Sequence, residues 1–361
     1  MKKKIIVFII AVILSLLFGE ILVRKFSKTG YLTPEILRNL SLQYEGSIFS
    51  RTVFPRRIQD IKGGNGADLH INSQGYRGGE FTVNKPEGKI RIIFYGGSSV
   101  FDINATEGED WPHLTEKMLH DQGFSNIEVI NAGIPSHASF DSVGRLFSEG
   151  HIFNPDYVVL YNAWNDIKYF RTDEPLLRFF KPYQESSDPL LNYQNYLDKF
   201  LCEHFQTYVR FRTKYYLWRF PRGDQGIETD NILLDEIKNS KLKQYKLNIE
   251  MFVDLARNIK ATPILMTQAR LVTKQINENQ EKKIHYRSAK LTHETIYEAF
   301  KKTDEIIKEV AKEKNVKLID ASLALTGKDE FFTDEVHTTE KGSKALAYLV
   351  ASEFSNILKS K

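Results

Sequence analysis

Apolar and polar positions are arranged differently in successive parts of this chain. At the start, Ile5 to Phe18 is an apolar run. Gly19-Glu20 interrupts it briefly, Ile21-Leu22-Val23 resumes it, and Arg24-Lys25 close it. A bilayer-spanning helix needs about 20 apolar residues, and Ile5 to Val23 nearly reaches that, so residues 1–25 are expected to form an N-terminal transmembrane anchor. A cleaved signal peptide would have a shorter apolar core followed by a small-x-small site. Leu17-Phe18-Gly19-Glu20 supplies no such site, and no cysteine stands nearby for lipid attachment. Lys2, Lys3 and Lys4 favour a cytoplasmic N-terminus. The expectation is a single-pass protein of the cell membrane whose body lies outside the cytoplasm.

Residues 26–88 are mixed. Pro55-Arg56-Arg57 and Gly63-Gly64-Asn65-Gly66 read as loops, Leu69 to Asn72 as a short strand, and Ser73-Gln74-Gly75 as the turn that ends it. No obvious catalytic group stands in this stretch. From Lys89 onward, short β-branched and aromatic runs alternate with helical periodicity. The runs are Ile90–Tyr95, Ile127–Ile130, Tyr157–Tyr161, Pro263–Met266 and Val316–Ile319. Helices are expected at Trp111–Asp121, Leu242–Ile259, Thr295–Lys312 and Thr339–Leu358, the last capped by Thr338 or Thr339. That alternation predicts an α/β fold: a three-layer α/β/α sandwich around a central parallel sheet, filling residues 89–361.

One stretch departs from this rhythm. Residues 166–239 form an insertion far longer than a usual crossover, crowded with aromatics such as Tyr196, Phe200, Phe211, Tyr215 and Trp218, with Arg and Lys interleaved. It reads as a helical insertion with its own small core, as a lid, or as an amphipathic face resting on the membrane.

Composition narrows the function. With 42% hydrophobic and 27% charged residues, the 361-residue chain has ordinary globular composition. A net charge of +4 from 50 basic and 46 acidic residues, the signs interspersed, does not suggest a nucleic-acid partner. The single cysteine, Cys202, excludes an internal disulfide and any cysteine-based zinc site. No metal or cofactor site is expected.

In an open α/β sheet, ligands bind beyond the carboxyl ends of the strands. Gly96-Gly97-Ser98-Ser99 follows the first strand, Asn131-Ala132-Gly133 the second, and Asn162-Ala163-Trp164-Asn165-Asp166 the third. Asp334-Glu335-Val336-His337 comes between the fifth strand and the last helix. A serine hydroxyl needs a base, a histidine can serve as one, and a carboxylate orients it. Ser98, His337 and Asp334 are the candidate triad. The backbone N–H groups of Ser98 and Gly133 and the amide of Asn165 are the candidate oxyanion donors.

These four segments resemble the sequence blocks of the SGNH (GDSL-like) hydrolases, in order and spacing, over roughly residues 89–358. Gly97 stands where the family has Asp, and Ala163 where it has Gly. Asn72-Ser73-Gln74-Gly75-Tyr76-Arg77 resembles a segment found upstream in membrane-anchored members. The resemblance implies a flavodoxin-like sheet and a serine esterase acting on an acetyl or acyl ester. The same residues would serve an O-acetyltransferase of envelope polysaccharide, and a non-catalytic anchored scaffold could keep the fold.

Taken singly, each residue has a plainer reading. Ser98 could cap a helix, Asn165-Asp166 could be a turn, and Gly133 could serve a tight bend. Ser99 is the competing nucleophile, one residue out of register. His137 lies just past Gly133 and is assigned no role. An α/β-hydrolase elbow would need glycine where Val100 stands, and no Gly-x-Gly-x-x-Gly follows the first strand.

Overall fold

The computed structural model describes residues 18–25, 58–63, 66–173, 193–219 and 233–360. The chain divides into two compact units. One comprises Met1–Tyr44 and Phe180–Asp230, the other Glu45–Phe179 and Asn231–Lys361.

The larger unit is built on five parallel strands: β3 (Ile90–Gly96), β4 (Ile127–Gly133), β5 (Tyr157–Tyr161), β6 (Thr262–Met266) and β7 (Lys317–Ile319). They follow a two-stranded antiparallel hairpin of β1 (Gln59–Lys62) and β2 (Asp68–Ile71). The sheet order is β4-β3-β5-β6-β7, and every pairing in it is parallel. Counted from β3, that order is 2-1-3-4-5, the flavodoxin-like winding whose switch point lies between the first and third strands.

Side chains alternate across a strand, and β3 displays the result. Ile93 and Tyr95 enter a core with the helices Ser139–Glu149, Asn239–Asn258 and His293–Glu313. Ile92 and Phe94 enter a second core with the helices Trp111–Asp121 and Glu340–Lys359. A strand covered on both faces reads as an unbroken apolar run, which is why these strands were visible in the sequence. The three layers match the expected sandwich.

Boundaries moved little. The helix expected at Thr339–Leu358 runs from Glu340 to Lys359, with the Thr339 hydroxyl accepting from the Gly342 N–H as its cap. The helix Ser139–Glu149 was not anticipated. Its inner face carries Ser139, Asp141, Ser142 and Arg145, all buried, so its apolar stripe is broken by polar residues that find partners indoors.

Among the described residues, no helix is long and apolar enough to cross a membrane. Most of the expected anchor lies outside the described residues. Only its end, from Phe18, is described, as a helix over 18–25.

Candidate active site

The chain leaves β3 through Gly97 and turns at once into a short helix, Ser98–Phe101, at the sheet's switch point. Gly97 is extended (φ −86°, ψ −152°), so strain does not demand glycine there. Space does. A Cβ at this position would lie 2.5 Å from Asn165 Nδ2 and 2.8 Å from the His137 carbonyl.

That close approach puts the Asn165 amide against the backbone leading into Ser98. Asn165 comes from the loop after β5, in the helix Trp164–Ile167, and is buried. Its amide donates one hydrogen to the His137 carbonyl at 2.9 Å, which fixes its plane. A primary amide carries two hydrogens, so a second is left for a ligand. Asn162 donates to the same carbonyl at 2.9 Å. The His137 main chain is thus a fixed post between the loops after β4 and β5.

On the other side of Ser98 stands the loop 332–338, closed by a bridge between Phe332 and Thr338. His337 Nε2 is 2.6 Å from Ser98 Oγ, and His337 Nδ1 is 2.6 Å from Asp334 Oδ2. The other carboxylate oxygen of Asp334 accepts from the backbone N–H groups of Val336 at 3.0 Å and His337 at 2.8 Å. One carboxylate therefore shapes the turn and orients the ring it carries. Burial pushes the Asp334 carboxyl upward. The hydrogen bond and charge of His337, with the two backbone donors, outweigh it and hold the group below its ordinary range.

Ser99 faces elsewhere. Its hydroxyl accepts from Gln268 Nε2 at 3.0 Å and approaches the Val336 carbonyl at 3.5 Å. Gln268, buried just past β6, also accepts from the Trp164 N–H at 2.7 Å. It ties the Ser98 helix to the Asn165 helix. Of the two adjacent serines, only Ser98 meets the imidazole.

The structure does not give Gly133 the role expected of it. Its N–H donates to Asn131 Oδ1 at 3.0 Å, so it is not offered to an oxyanion. A Cβ on Gly133 would stand 2.2 Å from the Phe101 nitrogen and 2.8 Å from its Cα. Glycine is needed there so that the Ser98 helix can lie on β4. The N–H of Ser98, at the first position of its helix, has no intrahelical acceptor. The Ser98 N–H and the Asn165 amide are the two expected donors that remain.

Behind the helix lies a buried polar frame. Arg77 donates to the carbonyls of Phe101, Asp102 (2.6 Å), Ala105 (2.7 Å) and Thr106 (3.2 Å). Its Nε lies 3.5 Å from Asp110. Asp110 also accepts from Asn131 at 2.8 Å and pairs with His113 at 2.7 Å. Burial would raise Asp110, yet the charges of His113 and Arg77 and the hydrogen bonds of His113 and Asn131 lower it to about 2. Asp102 ends the helix in the left-handed region (φ 54°). Its carboxylate accepts from the hydroxyls of Thr338 at 3.0 Å and Ser343 at 2.6 Å, joining the serine side of the site to the histidine side. Burial pushes Asp102 up to about 6. Sequence reading missed this frame. A signal was the arginine that ends the Asn72–Arg77 segment, whose resemblance singles it out but assigns it no structural role.

One trio could meet a cation among the described residues: His285, Asp334 and Glu335 bring ligand atoms within 4.8 Å of one another. Both carboxylates are already engaged, Asp334 by His337 and Glu335 by the ring and backbone N–H of His285.

No protein-family model matches the chain, and no curated protein does. Among solved structures the chain is similar to a lipase/acylhydrolase from Enterococcus faecalis, at 17% identity and a TM-score of 0.45, covering 74% of this chain and 96% of that one. It is similar also to a catalytic mutant of an acetylxylan esterase from Geobacillus stearothermophilus, at 15% identity and a TM-score of 0.43, covering 74% and 95%. A GDSL-like lipase from Bacteroides thetaiotaomicron gives 14% identity and a TM-score of 0.40, covering 76% and 92%. Likeness at that level says nothing about chemistry, which has to come from the side chains themselves.

Proposed function

We propose that this protein is a serine esterase of the SGNH type, held to the cell membrane by residues 1–25, with its body on the outer side. The observation that carries the catalytic reading is the chain of contacts from Ser98 Oγ to His337 Nε2 and from His337 Nδ1 to Asp334, each 2.6 Å. The apolar run at Ile5–Val23 behind three lysines supports the anchor.

In the proposed reaction, Ser98 Oγ attacks the ester carbonyl while His337 Nε2 takes its proton. Asp334 holds the imidazole in the tautomer that leaves Nε2 free and stabilises the imidazolium. The developing oxyanion meets the Ser98 N–H and the free hydrogen of the Asn165 amide. His337 then protonates the departing alcohol, and water, activated by the same ring, releases the acyl group. If a sugar hydroxyl replaced water in that last step, the enzyme would be an O-acetyltransferase. The acyl group is acetyl on a polysaccharide or fatty acyl on a lipid.

The test uses the detergent-solubilised full chain. It should hydrolyse p-nitrophenyl acetate and react with a fluorophosphonate probe, and Ser98→Ala should lose both. Failure of the unaltered chain to take the probe would leave a scaffold that merely keeps the fold. Mass analysis of an acylated oligosaccharide acceptor separates transfer from hydrolysis.

A further inference from the structure

The smaller unit has an outward face that its own core does not use. Its described parts are the helix 18–25 and the helices Tyr196–His204 and Gln206–Arg219. Among the described residues, Asp198 is a buried polar centre between the two longer helices. Arg212 makes a two-pronged pair with Asp198 at 2.7 and 2.9 Å, and the Tyr208 hydroxyl adds a third bond at 2.8 Å.

Phe211, Tyr215 and Trp218 lie on the face of Gln206–Arg219 next to the one that carries Tyr208 and Arg212. They are spaced four and then three residues apart, so they form one stripe, and they are 70%, 53% and 75% exposed. Exposed Arg210 and Lys214 run along one flank of the stripe, and exposed Arg219 stands on the other. The helix has four basic residues and no acidic one. Aromatic rings ringed by cations suit the boundary between lipid headgroups and acyl chains, where Tyr and Trp place an apolar body and a polar tip.

Two further observations point the stripe to a membrane rather than to a protein. The helix 18–25 continues directly from the apolar segment Ile5–Leu17. It is also fastened to the stripe's helix. The Glu20 carboxylate, in a residue only 6% exposed, accepts from the N–H groups of Gln206 at 2.8 Å and Thr207 at 2.9 Å and from the Thr207 hydroxyl at 2.8 Å. Arg24 reaches the His204 carbonyl at 2.7 Å. Glu20 thus caps the aromatic helix from the end of the apolar segment, and Phe18 and Ile21 beside it are 62% and 59% exposed.

We infer that the Phe211–Tyr215–Trp218 face rests in the headgroup layer of an anionic bilayer, held there by the Glu20 cap. The inference rests on the anchor reading for its nearness to lipid and extends it to a specific surface. Anionic headgroups would pair with Lys214, and the rings would replace water against the upper acyl chains.

The chain has three tryptophans, of which Trp111 and Trp164 are buried and Trp218 is exposed. The full chain, reconstituted in vesicles of phosphatidylcholine and phosphatidylglycerol, is titrated with lipid brominated near the headgroup. The expected result is quenching of about a third of the emission (one tryptophan of three), lost in Trp218→Phe and weakened in Lys214→Glu. Equal quenching with and without Trp218, or none, overturns the inference. Unquenched emission with crosslinking between copies through position 218 assigns the face to a second copy and also overturns it. Alkaline carbonate extraction reads the anchor separately. A chain retained in the membrane with Trp218 unquenched keeps the anchor and loses the face. A chain extracted by carbonate but quenched before extraction keeps the face and loses the anchor.

Discussion

Replacing Asp334 by Asn would keep the shape of the turn but present a hydrogen where the imidazole also presents one. The tautomer at His337 would reverse, because Asp334 Oδ2 faces Nδ1 at 2.6 Å. The expected fall in turnover is about 10⁴-fold, with the far-ultraviolet dichroism of the parent. Asn165→Ala removes one oxyanion donor, and turnover should fall about 10²–10³-fold with little change in KM. Gly97→Asp should lower turnover toward the Asn165→Ala value, since a Cβ there meets Asn165 Nδ2 at 2.5 Å. Steady-state kinetics on p-nitrophenyl acetate check all three. Gly133→Ala should instead act on folding, through the Phe101 backbone at 2.2 Å, and appear as lost yield and a lower melting point. Ser98, Asp334, His337 and Asn165 could be singled out as candidates because side chains of that chemistry follow the expected strands in a specific order. Gly133 was misread because a glycine's sequence position does not say whether its N–H or its missing side chain is used.

The element on which the site depends is a helix of four residues, Ser98–Phe101. Such a helix has no interior to stabilise it. Its backbone carbonyls are met from outside, by Arg77 at its C-terminal end and by Asn131 and Trp111 along it, the latter two donating to Val100 at 3.0 Å and Ser99 at 2.7 Å. Arg77→Met would strand those carbonyls and leave Asp110 buried without its guanidinium. The expected cost is about 3–5 kcal/mol, measured as a lower urea midpoint. The same frame makes stability depend on pH. Asp110 is depressed in the fold from its ordinary 3.8 to about 2, so its contribution is complete above the ordinary value and is lost as pH falls through about 2. His113 is raised above its ordinary value by Asp110, against the pull of burial; its contribution is complete below that value and fades as pH rises through the raised one. Urea midpoints taken between about pH 4 and 2 should fall in the parent and fall less in Asp110→Asn.

At the scale of the whole molecule, the sheet order brings the chemistry together. Winding β4-β3-β5-β6-β7 places the ends of β3 and β5 side by side, so Asn165 lies against Gly97, the residue before Ser98, although 68 residues apart by number. The loop ahead of the last helix supplies His337, 239 positions from Ser98. The smaller unit, built from Met1–Tyr44 and Phe180–Asp230, was not legible as one body. Its two segments are far apart in sequence, and among the described residues the buried carboxylate of Glu20 and the guanidinium of Arg24 join them, at the end of an apolar pattern that reads as lipid-facing.

The pattern of the chain determined the layers by itself. Strands buried on both faces must be continuously apolar, and helices covering them must repeat at helical spacing, so both left a periodic trace. It also marked the candidate side chains, since a Ser, an Asp and a His at the ends of such strands form a specific combination. Tertiary structure decided what polar groups do once buried. The Gly133 N–H donates to its neighbour Asn131, the Ser99 hydroxyl accepts from Gln268, and Arg77 holds a helix it is 21 residues away from. A buried hydrogen bond is a match of geometry between partners that can stand anywhere in the chain, and it leaves no period in the sequence to be read.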